Sequence, residues 1–171
     1  MATRVRPSAS LWCGLSEGAT VLVDTAPWIY LLEDHAEFAP RFVGLFEAAE
    51  RGQIQLALST ITLAEVLTGP FKAGQTTLAK RYENALNQYQ VVPLTPAVAS
   101  LAAQLRVEYR LKLPDAVQLA SALDIGAAAI GHGGIEHRVE AVIVVAGVDI
   151  LAADDQRVAD PAGIELADEI A

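Results

Sequence analysis

The chain has 171 residues, 53% of them apolar and 19% charged, which is enough to bury one full core and excludes a disordered tail. Twelve basic against twenty-one acidic residues leave a formal charge of −9, which excludes a surface that grips nucleic acid through a general positive field; any polyanion has to be met locally. A lone cysteine, Cys13, excludes internal disulfides, no apolar run approaches the ~20 residues of a membrane span, and residues 1 to 20 hold no secretory apolar region, so a cytoplasmic protein is expected.

Residues 1–19 carry Arg4, Arg6, Pro7, Ser8, Ser10, Gly14 and Gly18 without a sustained period and read as a loosely ordered extension. Trp12 and Cys13 within it read as a surface or partner contact. The domain proper is expected over 20–171. Val21-Leu22-Val23 is a short apolar run that fits a strand buried on both faces, and it stops at Asp24-Thr25. In an open parallel α/β sheet the ligand crevice lies at the carboxyl ends of the strands, which is where Asp24 would stand. Pro27, Trp28, Ile29, Leu31 and Leu32 then fit a helix, for which Asp24 or Thr25 would equally serve as N-cap.

Phe42, Leu45, Phe46 and Ala49 predict an amphipathic helix ending near Arg51-Gly52, and the alternation in 54–58 predicts a second strand. Ser59 to Leu67 turns from strand to helix. Thr62 with Glu65 three positions on matches a capping box, while a helix starting at the sheet's carboxyl edge also aims Glu65 toward Asp24. Gly69-Pro70 is expected to end that helix. Leu78, Tyr82, Ala85, Leu86 and Tyr89 predict another, with Lys80 and Arg81 on its solvated side.

Val91 to Leu94 reads as a short strand, and Thr95-Pro96 as N-cap and first turn of a helix striped by Val98, Leu101, Ala102, Leu105 and Tyr109. Arg106, Arg110 and Lys112 crowd its far end, where cations suit the helix dipole. Leu113-Pro114-Asp115 opens a helix that is otherwise almost wholly apolar through Leu123 and therefore buried. A carboxylate at its head is a dipole partner or a site group. Beyond Gly126, residues 135–140 read as a short helix, 141–146 as a strand, 148–151 as an apolar run that reaches acids at Asp154 and Asp155, and 163–166 as a closing edge strand. His132 and His137 match no tight metal-ligand spacing.

Asp24, Glu65, Asp115 and Asp154 thus stand at strand ends or helix starts. Capping explains each alone but not their common placement at one edge of one sheet. Converging carboxylates repel and partly protonate unless a hard divalent cation neutralises them. All-oxygen ligation suits Mg2+, with Mn2+ as a substitute, and such a site supports in-line attack on a phosphodiester.

The run ending in Asp24-Thr25, the phrase Thr62-Leu63-Ala64-Glu65-Val66 and the stretch from Leu113-Pro114-Asp115-Ala116 to Ala122 resemble the three acidic motifs of PIN-domain nucleases. The Leu-Pro-Asp-Ala phrase is most similar to VapC-type toxins of bacterial toxin–antitoxin modules. The resemblance covers roughly residues 20–125. It implies an α/β fold, a PIN-like three-layer α/β/α sandwich around a central mainly parallel sheet of four or five strands. It also implies a Mg2+-dependent endoribonuclease, a homodimer, and neutralisation by a small VapB-like antitoxin that inserts a C-terminal segment into the acidic groove. The metal ligands are then expected to be Asp24, Glu65, Asp115 and Asp154, with an activated water as nucleophile and Thr25, Arg110 and Lys112 as RNA contacts.

The sequence departs from the family at its fourth motif, which has two registers. Asp149 to Asp154 keeps an acid, with Asp155 as its substitute, and requires an insertion near 127–147; Ala129-Ile130-Gly131-His132-Gly133 lacks the acid. The first is the expected register because it keeps both the acid and the closing strand. Two further readings stay open, a non-catalytic PIN-like partner-binding scaffold and a metal-dependent hydrolase of a small phosphate ester.

Overall fold

The strand Ala19–Val23 (β1) occupies the middle of the molecule, and its Val21, Leu22 and Val23 are wholly buried. In a computed structural model the described residues are 15–133, 140–144 and 151–152. Alternate residues of a strand face opposite ways. Val21 and Val23 therefore join one core, with Trp28, Phe42, Phe46, Val66 and Leu86, while Leu22 joins another with Val98, Leu105, Val117 and Leu119. The helices Thr25–Leu32 (α1), Ala39–Glu50 (α2), Thr60–Lys72 (α3) and Thr76–Leu86 (α4) build the first layer. Pro96–Tyr109 (α5) and Leu113–Asp124 (α6) build the second, so the sheet lies between two helical layers.

Both edges of β1 are paired in parallel. Ile54–Ser59 (β2) lies on one side with Val21 opposite Leu56, and Ala129–Gly133 (β4) on the other with Val21 opposite Ala129. Gln90–Val92 (β3) extends the parallel part beyond β2, while Glu140–Val144 (β5) and Leu151–Ala152 (β6) add two antiparallel strands beyond β4. The order is β3-β2-β1-β4-β5-β6, a parallel core of four strands with an antiparallel extension. The chain leaves β1 toward β2 and later returns to its other side as β4, so the order reverses between β1 and β4. A reversal of this kind opens a crevice at the carboxyl ends of the strands.

The expected fourth-motif register is corrected here. The strand beside β1 is Ala129–Gly133, so the stretch read as an insertion supplies β4 and β5. Leu151–Ala152 lies three strand positions from β1, about 14 Å at the usual spacing. Ala129 to Gly133 is poor in strong strand formers, but pairing on both edges overrides local preference. Its approach is fixed at either end by Ala128 N–H donating to Thr20 O at 2.8 Å and Asp24 N–H donating to Gly131 O at 2.9 Å.

A second correction concerns Gly69-Pro70, which α3 runs through before stopping at Lys72. Pro70 stands in the last turn with its ring buried, and Gly74, at φ +69°, terminates the segment. Trp12, Cys13, His137, Asp154, Asp155 and the expected edge strand at 163–166 lie outside the described residues. Among the described residues no helix is long and apolar enough to cross a membrane.

Candidate metal and nucleic-acid site

At the carboxyl end of β1 the backbone of Asp24 remains extended, at φ −70° and ψ 176°, before α1 begins. Asp24 is the N-cap of α1, its Oδ1 accepting the Thr25 N–H at 2.7 Å. The turn is also held from behind, where the Trp28 indole N–H donates to Val23 O at 3.1 Å. Trp28 is wedged against Phe46 and Tyr89, with ring centroids 5.0 and 4.8 Å away. The capping explanation for Asp24 is therefore correct and incomplete, because the same oxygen accepts a second hydrogen bond from across the fold.

That donor is Gln118. Its Nε2 lies 2.7 Å from Asp24 Oδ1 and 2.7 Å from Thr62 Oγ1, and the side chain is 5% exposed. Thr62 is itself wholly buried in the first turn of α3 and donates its N–H to Ser59 Oγ at 3.1 Å. Ser59, not Thr62, is the N-cap of α3. The expected capping box is thus absent: the cap sits three residues earlier, and Glu65 is released from it. Glu65 is exposed and instead accepts a hydrogen bond from the Thr25 hydroxyl.

Asp115 occupies the first turn of α6, three residues before Gln118 and so on the same side of the helix. Lys112, the N-cap of α6, makes no side-chain capping bond. One edge of the sheet consequently brings together Asp24, Thr25 and Glu65 in direct hydrogen-bond linkage, with Asp115 one helical turn from the amide that holds Asp24. The acids are spaced by hydroxyl and amide donors. Among the described residues, no group of three or more His, Cys, Asp and Glu side chains is drawn together closely enough to hold a metal ion. The donor set is all oxygen, and the chemistry of such donors fits Mg2+ or Mn2+ rather than a softer metal.

Arg110 and Lys112 lie in the connection between α5 and α6, both exposed. Arg110 has left-handed backbone at φ 56°. With Arg106, Ala103, Val107, Leu111 and Leu113 it lines a groove of about 420 Å³. Lys80 pairs with Glu83 at 2.7 Å and Arg81 faces solvent, so that side of α4 is a solvated face.

The participants that the sequence reading missed are Gln118 and Ser59. Gln118 carried a signal, being the one amide in an apolar stretch from Ala116 to Ala122 that is otherwise buried. Buried polar groups need partners, so it had to meet something. The family model for the PIN domain matches residues 21–142. A toxin–antitoxin complex from Klebsiella pneumoniae is similar at 30% identity and TM-score 0.54, covering 68% of this chain and 88% of that one. VapBC2 from Rickettsia felis bound to a promoter DNA fragment matches at 17% identity and TM-score 0.55, covering 68% and 89%. VapC20 of Mycobacterium tuberculosis, a toxin that cleaves the sarcin–ricin loop, matches at 18% identity and TM-score 0.52, covering 68% and 91%. These last two similarities speak to the fold alone. No curated protein matched by sequence.

Proposed function

The chain belongs to the PIN-domain family, and on that footing we propose that it is the toxin of a toxin–antitoxin module, a Mg2+-dependent endoribonuclease that hydrolyses RNA phosphodiester bonds. The observation that carries this reading is the linkage of Asp24, Thr25 and Glu65 at the carboxyl end of the central strand, beside the reversal of strand order. Asp24, Glu65 and Asp115 would hold the cation, directly or through water. Asp154, in the register not observed beside β1, lies outside the described residues. When bound, the cation supplies an activated water and offsets the charge that builds on the scissile phosphate.

This chain's own residues do the rest. The Thr25 hydroxyl holds the Glu65 carboxylate, and the Thr25 amide and Gln118 hold that of Asp24, so two of the expected ligands are restrained by neighbours that a bound cation would keep or displace. Arg110 and Lys112 supply local positive charge on a chain of net charge −9, beside the helix start that carries Asp115. A VapB-like antitoxin, with the complexes similar to this chain as precedent, would cover the acidic edge. The working form is a cytoplasmic homodimer.

The test is cleavage of a panel of structured and single-stranded RNAs by the purified protein, with Mg2+, with EDTA, and with Asp24→Asn. Cleavage that requires Mg2+ and disappears in Asp24→Asn is expected. A folded protein that cleaves no RNA in any condition overturns the reading.

A further inference from the structure

We infer that Gln118 is a positioning residue for the Asp24 carboxylate, holding it in the orientation in which it ligates the cation. The inference rests on the metal-site reading above and goes beyond it, since the acidic motifs alone assign Gln118 nothing. The amide group sits inside α6, 5% exposed, in a run of buried apolar and small residues where leucine or methionine would fill the same volume without a polar atom. Both protons of its NH2 are committed, one to Asp24 Oδ1 and one to Thr62 Oγ1, each at 2.7 Å. The orientation is dictated by charge, because the carbonyl end turned toward a carboxylate would be repelled. Gln118 Oε1 is left buried with no hydrogen-bond partner among the described residues. A group that served only to fill the core would not carry that penalty, so the amide is retained for what its other end holds.

The connection also spans the fold. Ser59 caps α3 and receives the Thr62 N–H, Thr62 receives Gln118 from α6, and Gln118 grips Asp24 at the end of β1. The side chain therefore ties the sheet edge to both helical layers and fixes one oxygen of Asp24 from two directions, the Thr25 amide and the Gln118 amide. Hydrogen-bonded partners of this kind around metal ligands typically change metal affinity by about 10- to 100-fold when removed.

The experiment compares Mn2+ binding to the purified full chain by calorimetry and by electron paramagnetic resonance, for wild type, Asp24→Asn and Gln118→Met, with thermal melts of each. Gln118→Met removes both donors and the orphaned carbonyl together. It is expected to melt within a few degrees of wild type or above it, to bind Mn2+ about 10- to 100-fold more weakly, and to lower kcat for RNA with KM little changed. An unchanged Mn2+ affinity in folded Gln118→Met, with binding lost in Asp24→Asn, overturns the positioning role alone. Absence of Mn2+ binding in wild type, or binding equal in Asp24→Asn, overturns the metal-site reading and this inference with it. Should Gln118→Met fail to fold, the wild-type chain decides. The Gln118 side-chain amide resonance is expected to shift on Mg2+ titration in wild type and stay still in Asp24→Asn; a resonance that ignores Mg2+ in wild type overturns the inference.

Discussion

Glu65 shows how one residue can carry two readings that only its neighbours separate. The Thr62-to-Glu65 spacing fits a capping box, yet Ser59 takes the cap, leaving Glu65 exposed and joined to Thr25. A carboxylate that caps nothing contributes little to stability, so Glu65→Gln is expected to shift unfolding by no more than about 0.5 kcal/mol. The same change is expected to lower Mg2+-dependent cleavage by about 100-fold or more, in keeping with the loss of a group that acts on transition-state charge. Urea melts and single-turnover assays on one preparation check both halves; a destabilisation above about 1 kcal/mol would restore the capping account. At this scale the placement of Asp24 and Asp115 was legible because each stands where an element changes type, and that of Glu65 because α3 starts at the same sheet edge. Gln118 was not, because its partners are Asp24 and Thr62, far away in the chain, and no local pattern reports a partner so distant.

Elements were legible where caps and period agree. Thr95-Pro96 begins α5 as expected, the Thr95 hydroxyl accepting the Val98 N–H at 3.2 Å, and α6 opens at an exposed Leu113-Pro114 and is buried from Ala116 through Ala122. They were ambiguous where several hydroxyls compete, as in Ser59-Thr60-Ile61-Thr62, and where tertiary packing outweighs a breaker, as at Pro70. Since Ser59 is the working cap, Ser59→Ala is expected to cost about 1 kcal/mol, read from the denaturant midpoint with unchanged slope. The end of α5 offers a contrasting case. Arg110 holds a left-handed conformation that a side chain adopts at a cost of about 1 to 2 kcal/mol and glycine adopts freely. Arg110→Gly is therefore expected to raise the melting temperature while weakening RNA binding, measured by anisotropy with a non-cleavable RNA. Tighter RNA binding in that variant would remove Arg110 from the contact surface.

Over the whole molecule, the alternation of strands and helices was legible, the three-layer sandwich came with the resemblance to PIN-domain nucleases, and the order of the strands was in neither. Residues 129–133 are weaker strand formers than 141–146, and the choice between them is made by β1, which offers an open edge that only β4 fills. The side of the sheet covered by α1 to α4 holds two tyrosines that resist ionisation. Burial pushes the Tyr82 hydroxyl above its ordinary value of 10.0, with the charge of Glu33 adding to the effect, and burial raises Tyr89 likewise, with Glu50 adding. This stability is fully present below the unfolded value of about 10 and is lost as pH climbs from there through the raised folded-state values. Urea midpoints should accordingly fall as pH rises above about 10, and Tyr82→Phe should flatten part of that fall, although it also loses the bond to Leu32 O at 3.3 Å.

The pairing of β1 with β4 also sets an order in time. During synthesis the ribosome releases β1, β2 and most of the helices long before residues 129–133 emerge, and domains assemble as their segments become available. Until then one edge of β1 is open, the Asp24 N–H has no Gly131 carbonyl to meet, and α6 has only just arrived to grip Asp24 through Gln118. A nascent chain that has not yet released residues 129–133 lacks the contact that holds the Asp24 backbone from that side. Whatever activity resides there waits on residues 129–133, the last strand to close against β1.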